Sequence, residues 1–262
     1  MSGDDAARAW AEALAPVTGA MLDLARPRPG ERVLDVGAGA GQLALEIASA
    51  VGPAGEVLAI DPSADAIAAI ERRTATANPN WAPLRAMRAA AESLDAGEAL
   101  FDLAIARNSV MYFDDLERGL ARVKHALRPG GRLVASVYAT LDHEPFHAVP
   151  LAAVTRRSPL SRPLPEYAAA FELDADRLEA ALHASGWQAV ARRVVPVRRN
   201  FRSLDTLAAA LRGSRSLAEL LGRLPADERA EAWREIDAGF ERYAGPSGVA
   251  IDGCQVVVIA TA

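Results

Sequence analysis

Apolar positions in the first 140 residues fall into two alternating rhythms. Residues 4–25 set Trp10, Leu14, Val17, Met21 and Leu24 at helical spacing, which predicts a helix ended by Pro27, Pro29 and Gly30. Arg32 to Val36 is an apolar run that predicts a strand, followed by glycines and a helix over 42–50. Residues 56–60 repeat the strand pattern, and a helix follows over 63–74 with Ser63 placed to cap it ahead of Asp65. Residues 84–89 form a weaker strand pattern and 101–106 a stronger one. A helix over 114–127 stops at Arg128-Pro129-Gly130-Gly131, and a fifth strand runs over 132–138.

The second half is less regular. Residues 140–170 are rich in Pro, His and Arg and show no clear period. A helix over 174–185 closes at Gly186, and 187–200 reads as a strand in which Pro196 implies an edge or a bulge. Residues 203–243 are helical, broken near Gly213 and at Pro225, and 255–261 form a last apolar strand. Strands alternating with helices predict an α/β fold, a mostly parallel seven-stranded sheet with helices on both faces. The late helical block lies between two strands, so it is expected to be an insertion on the sheet. The expected organisation is one domain over 1–262, with a ligand-binding core at 30–140 and lid segments at 141–173 and 201–250.

Composition narrows the function. Hydrophobic residues make up 51% of the 262 and charged residues 24%, enough apolar material for a sizeable core. The formal net charge of −5 argues against dependence on nucleic-acid phosphates. Arg192, Arg193, Arg198, Arg199 and Arg202 are read as a solvated strand edge. The single cysteine, Cys254, excludes an internal disulfide and a cysteine-based zinc site, and reads as a small buried residue before an apolar run. Met1 to Arg8 lack the basic start of a signal peptide, and no apolar stretch suits a spanning helix, so a cytoplasmic protein is expected. Aromatic residues are few, so a substrate pocket lined mainly by aliphatic side chains is expected.

The strongest chemical signal is Val33-Leu34-Asp35-Val36-Gly37-Ala38-Gly39-Ala40-Gly41. A strand running into three alternate glycines lets the backbone approach a ligand lying across the strand ends. The dinucleotide fingerprint needs G-x-G-x-x-G, whereas position 42 is glutamine, which counts against a nicotinamide cofactor. Asp61, at the end of the second strand and before Pro62, could accept hydrogen bonds from both hydroxyls of an adenosine ribose.

With these features the chain resembles the class I S-adenosylmethionine-dependent methyltransferases with their Rossmann-like fold, in particular the branch acting on small molecules and quinones. The stretches that carry the likeness are Arg32–Leu43, Ala59–Pro62, Phe101–Asp114 and Arg122–Val137. The resemblance implies S-adenosyl-L-methionine as cofactor and methyl transfer to an O, N or C atom of a small apolar or aromatic acceptor. It implies that Asp35 organises the loop and helps hold the methionine amino group. Gly37, Ala38, Gly39 and Gly41 would admit the sulfonium region, Asp61 with Pro62 would hold the ribose, and Arg107 and Asn108 would approach the amino-acid end. The family's acidic residue beside the adenine is replaced here by Ala90, which leaves that contact to the backbone at Ala91 or to Glu92.

A base is needed only where the accepting group is protonated. His143 and His147 are candidates, with Tyr112, Asn108 and Tyr138 as further pocket residues. Pro145 between the two histidines argues against a shared helix, and the segment reads as a polar lid loop without a metal. Trp233, Ile236, Phe240 and Tyr243 form a stripe that either packs on the sheet or makes a homodimer contact. No membrane or nucleic-acid partner is expected. Other readings stand beside the methyltransferase: a non-methylating enzyme of pericyclase or decarboxylase type that keeps the same cofactor, a nonenzymatic binding module, and a nicotinamide oxidoreductase, which the loop spacing and the lack of a Tyr-x-x-x-Lys pair disfavour.

Overall fold

The computed structural model describes residues 3–75, 78–160 and 164–262, with side chains described from Leu14 onward. The predicted place of Trp10 on its helix face, and the side chains of the polar start, lie outside the described residues. Helix α1 covers Gly3–Ala25, and strands β1 (Arg32–Val36), β2 (Glu56–Asp61), β3 (Leu84–Arg88), β4 (Phe101–Arg107) and β5 (Leu127–Tyr138) follow the expected runs. Between them lie α2 (Gln42–Val51), α3 (Ala64–Thr74) and α4 (Leu116–Ala126), with one-turn helices at Ala91–Ser93 and Val110–Tyr112. The second half holds α5 (Pro145–Thr155), α6 (Glu166–Ala169), α7 (Ala175–Ala184), β6 (Gln188–Phe201), α8 (Leu204–Arg212), α9 (Arg215–Gly222), α10 (Ala226–Phe240), β7 (Ala244–Gly245) and β8 (Gly248–Thr261).

The strands lie in the order β3-β2-β1-β4-β5-β8-β6, with β7 pairing only with β8. Pairs β1–β2, β2–β3, β1–β4 and β4–β5 are parallel. This is the expected mostly parallel α/β sheet; the two-residue β7 brings the described strands to eight rather than seven. Ser63 caps α3 as predicted, its hydroxyl accepting from the Ala66 N–H, and Asp115 does the same for α4 through the Arg118 N–H. Strand β6 is at the sheet edge, the position where a proline such as Pro196 is tolerated.

Two expectations fail for local reasons. Pro145 does keep the two histidines off a shared helix, His143 lying before α5, but the segment is not a loop: Pro145 occupies the first turn of α5, where its missing N–H would have had no partner anyway. The last strand begins at Gly248 rather than at 255: Val249 and Ile251 alternate with exposed Ala250 and Asp252, so its first half follows a period of two that the apolar run at 255–261 does not show.

Two compact units divide the chain. One comprises Thr18–Val137, Ala175–Val194 and Val256–Ala262; its interior is made by residues such as Val33, Leu34, Val57, Leu103, Ile105 and Val134. The other comprises residues up to Val17, Tyr138–Asp174 and Val195–Gln255, with a core built from Phe146, Val154, Leu217, Leu220, Ile236 and Phe240. In that core Ile236 and Phe240 are buried, and the partly buried Trp233 and Tyr243 pack against it. Among the described residues no helix is long and apolar enough to cross a membrane.

Candidate active site

The glycine turn after β1 closes as a tight, hydrogen-bonded curve. Gly37 and Ala38 donate N–H groups to the Ile60 carbonyl at 2.8 and 3.0 Å, and the Gly41 N–H reaches the Ala38 carbonyl at 2.9 Å. All three glycines have positive φ, of 69°, 54° and 79°, which disfavours any side chain. They differ in surroundings. A Cβ on Gly37 would lie 2.4 Å from Ser109 Cβ, and one on Gly41 2.8 Å from Ile70 Cγ1. A Cβ on Gly39 would meet nothing within 4 Å. Gly37 and Gly41 are therefore required by packing, while Gly39 faces open space where a ligand can approach.

Asp61 closes the turn from the neighbouring strand. Its two carboxylate oxygens accept from the Gly39 N–H and the Ser63 N–H, each at 2.9 Å. The residue read as a ribose contact thus also tethers the glycine turn, a role that spacing alone did not reveal. Pro62 contributes its carbonyl to the Arg88 guanidinium at 3.0 Å.

Asp35 is 1% exposed at the end of β1, and its Oδ2 has no hydrogen-bond partner. Burial raises its pKa to about 7; the Arg107 guanidinium opposes the rise and the Asp61 charge adds to it. Arg107 is itself oriented by Thr18, whose hydroxyl accepts from it at 2.7 Å. Asn108 adopts φ 52°, and its N–H donates to Ser136, whose hydroxyl donates in turn to Asn108 Oδ1 at 2.9 Å. Ser109 donates to the Val36 carbonyl at 2.6 Å, locking the start of the next segment against β1. The Thr18, Ser109 and Ser136 contributions were invisible in sequence because each acts across a gap of tens of residues.

Ala91 is buried in its one-turn helix, and Glu92 accepts from the Asp115 N–H at 3.3 Å, so that carboxylate is partly committed to the start of α4. Tyr112 is 44% exposed.

The histidines separate. His143 is exposed in a turn, its Nδ1 3.0 Å from the Thr140 hydroxyl. His147 is buried in α5, its Nδ1 3.2 Å from Tyr167 Oη. Burial holds the His147 pKa well below 6.5, and the Arg199 charge lowers it further. Around it stand Tyr138, Phe171 and Phe146, with ring centroids 4.9, 5.1 and 5.1 Å away. Few as the aromatics are, they concentrate here.

Arg199 contradicts the solvated-edge reading. It is buried and pairs with the equally buried Glu144, because alternation along β6 turns it inward while Arg198 turns outward to Asp252. The other described members of the patch that carry ion pairs are at the surface, Arg192 with Asp176 and Glu179, and Arg193 with Asp23. Cys254 is half-buried inside β8, and burial with the nearby Glu144 raises its pKa, which leaves it a thiol.

Part of the chain is similar to known proteins. Residues 33–131 match the family model described as a methyltransferase domain. The nocamycin O-methyltransferase of Saccharothrix syringae is 36% identical over 118 residues, covering 45% of this chain and 41% of that protein. The chain thus spans less than half the length of that relative. The demethylmenaquinone methyltransferase of Beutenbergia cavernae is 29% identical over 76% of this chain and 79% of its own. The crystal structure of the YcgJ protein of Bacillus subtilis superimposes with a TM-score of 0.62 at 17% identity, over 93% of this chain and 97% of its own, a likeness of fold.

Proposed function

We propose that the chain, whose residues 33–131 match a methyltransferase domain, is a class I methyltransferase that binds S-adenosylmethionine and methylates a small organic acceptor. The observation that carries this reading is the buried Oδ2 of Asp35, an orphan carboxylate oxygen at the end of β1. A buried acceptor without a donor is costly, and an ammonium group satisfies it. The residues present fit the cofactor. Asp35 would take the amino group and Arg107 the carboxylate of its methionine part, and Asp61 retains lone pairs for the ribose hydroxyls. The open side of Gly39 admits the ligand, flanked by Gly37, Ala38 and Gly41, with Pro62 beside the ribose. Adenine falls to the backbone at Ala91 and to Glu92, and Asn108 is held by Ser136 near the amino-acid end.

S-adenosylmethionine, when bound, supplies a methyl carbon activated by its positively charged sulfur. The chain's task is to orient the acceptor, exclude water and take a proton where the acceptor carries one. We assign the proton to His147, since it is buried and its depressed pKa keeps it neutral at pH 7. We assign the tautomer in which Nδ1–H donates to Tyr167, which makes Nε2 the basic nitrogen. His143 and Tyr112, both exposed, are read as acceptor contacts without proton transfer. Residues 141–173 and 201–250 are read as the lid that selects the acceptor. The reading takes the protein as cytoplasmic, acting on a free molecule with no nucleic-acid or membrane partner, for which the charge of −5 is supportive; a homodimer is compatible with it.

The test has two parts. Calorimetric titration with S-adenosylmethionine should show a single site, and a product heavier by one methylene should form from an accepted substrate. Product of unchanged mass would favour the non-methylating alternatives, and no binding at all would end the reading. The variant His147→Gln should lower kcat strongly while cofactor affinity stays within about twofold.

A further inference from the structure

Gln255 is fully buried on β8, and neither its Oε1 nor its Nε2 has a hydrogen-bond partner. An orphaned carboxamide is one of the costlier things a fold can keep, since a leucine or methionine of similar volume would bury there without penalty. Its surroundings show what it could serve. Along β8, Asp252 turns outward to Arg198, so Gly253 and Gln255 share the opposite, inward face. Over Gly253 lie Glu144 and Arg199: a Cβ at that position would be 3.0 Å from Glu144 Oε1 and 3.1 Å from Arg199 Nη1. The Cys254 carbonyl accepts from the Ala139 N–H at 3.2 Å, which sets Gln255 beside the end of β5 and Tyr138. Tyr138 stacks with Phe171 at 5.0 Å and 27°, and both rings border His147.

We propose that Gln255 is the group that recognises the acceptor, and that the acceptor is a flat, uncharged ring whose edge carries a carbonyl next to an N–H or O–H. This rests on the methyl-transfer reading for the word acceptor, but the site itself does not. A carboxamide presents a donor and an acceptor side by side, so it pairs in two hydrogen bonds with the edge of a lactam or a hydroxy-carbonyl compound. The Glu144–Arg199 pair is already neutralised within itself, so the neighbourhood offers no net charge to an ionic ligand. The rings of Tyr138 and Phe171 make these surroundings apolar and aromatic, which suits a planar, uncharged body.

The experiment uses the full chain and two probes that differ at one atom, 2-quinolinone and 1-methyl-2-quinolinone, with Kd measured by titration with and without S-adenosylmethionine. The wild type is expected to bind 2-quinolinone at least tenfold more tightly, since the N-methyl group blocks the donor. Gln255→Leu should abolish that preference and raise Tm by about 2–4 °C, because the orphan groups are gone. Gln255→Met, which has a similar volume but neither the amide oxygen nor the amide N–H, should also lose the preference and covers the case in which the leucine variant misfolds. Equal affinity of the two probes in the wild type, or an unchanged preference in both variants, overturns the proposal. A preference that depends on Gln255, with no methylated product from any substrate, leaves the site standing and removes the methyl-transfer reading instead.

Discussion

Arg199 and Glu144 form an ion pair 3.0 Å apart with side-chain exposures of 1% and 0%. The guanidinium also lies over the Phe146 ring, 5.1 Å from its centroid. Burial pushes the Glu144 pKa up, while Arg199 and the Cys254 N–H pull it back. Such a pair contributes little net stability, because desolvation offsets much of the attraction, yet removing one member strands a buried charge. Arg199→Met is therefore expected to destabilise by about 3–5 kcal/mol. The double variant Arg199→Met/Glu144→Leu should recover most of that loss. Urea denaturation of the three chains checks it; a double variant no more stable than the single one would falsify the pairing.

Asp35 sets a pH dependence of definite sign. Its folded pKa is raised to about 7 from a value of 3.8, so between those limits the folded state holds a proton that the unfolded state has lost. Unliganded stability should therefore fall as pH rises from about 4 to 7, by at most about 4 kcal/mol from this group. Asp35→Asn should remove that slope, raise Tm above pH 7, and weaken S-adenosylmethionine at least tenfold. Melting curves across pH, with and without the cofactor, give both readings. A slope that survives the substitution means that another group is responsible.

His147 acts with the opposite sign. Its folded pKa is lowered, so the unfolded chain takes up a proton below pH 6.5 that the buried imidazole refuses. Stability from this group is complete above 6.5 and is lost as pH falls beneath it. His147→Gln should flatten the acid side of the stability profile while leaving the Asp35 slope in place, which separates the two contributions.

The glycine turn should show two kinds of failure. Gly37→Ala collides with Ser109 and should cost about 2–3 kcal/mol of stability. Gly39→Ala meets open space, so its cost should stay near 1 kcal/mol, that of its positive φ. It should instead weaken S-adenosylmethionine by an order of magnitude or more. If Gly39→Ala binds the cofactor normally, the ligand does not approach from that side.

Asp61 couples the two effects. Asp61→Ala leaves the Gly39 and Ser63 N–H groups without their acceptor, at about 1–2 kcal/mol. Cofactor affinity should fall at least tenfold in calorimetry. Asp61→Asn, which retains one acceptor oxygen, should fall between the two.

How legible all this was depends on distance along the chain. Strands β1 to β5 and the turn from Gly37 to Gly41 announce themselves because each is specified within its own ten residues, by apolar runs and by glycine where φ must be positive. The start of α5 was misread because Pro145 is ambiguous until the helix boundary is known: the same residue breaks an interior and suits a first turn. Arg199 was misplaced because five nearby arginines look alike in sequence, and only the pairing of β6 with β8 decides which faces Glu144. Gln255 gave no signal, for it sits in an apolar strand, where one polar residue looks like noise.

Strand β8 lies between β5 and β6, although it follows both along the chain. During synthesis the gap in the sheet must stay open while more than a hundred residues after β5 emerge, and β6 has no neighbour to pair with until the residues of β8, Gly248–Thr261, arrive. The sheet is finished from the inside, so trimming those few residues should harm assembly far more than their number suggests.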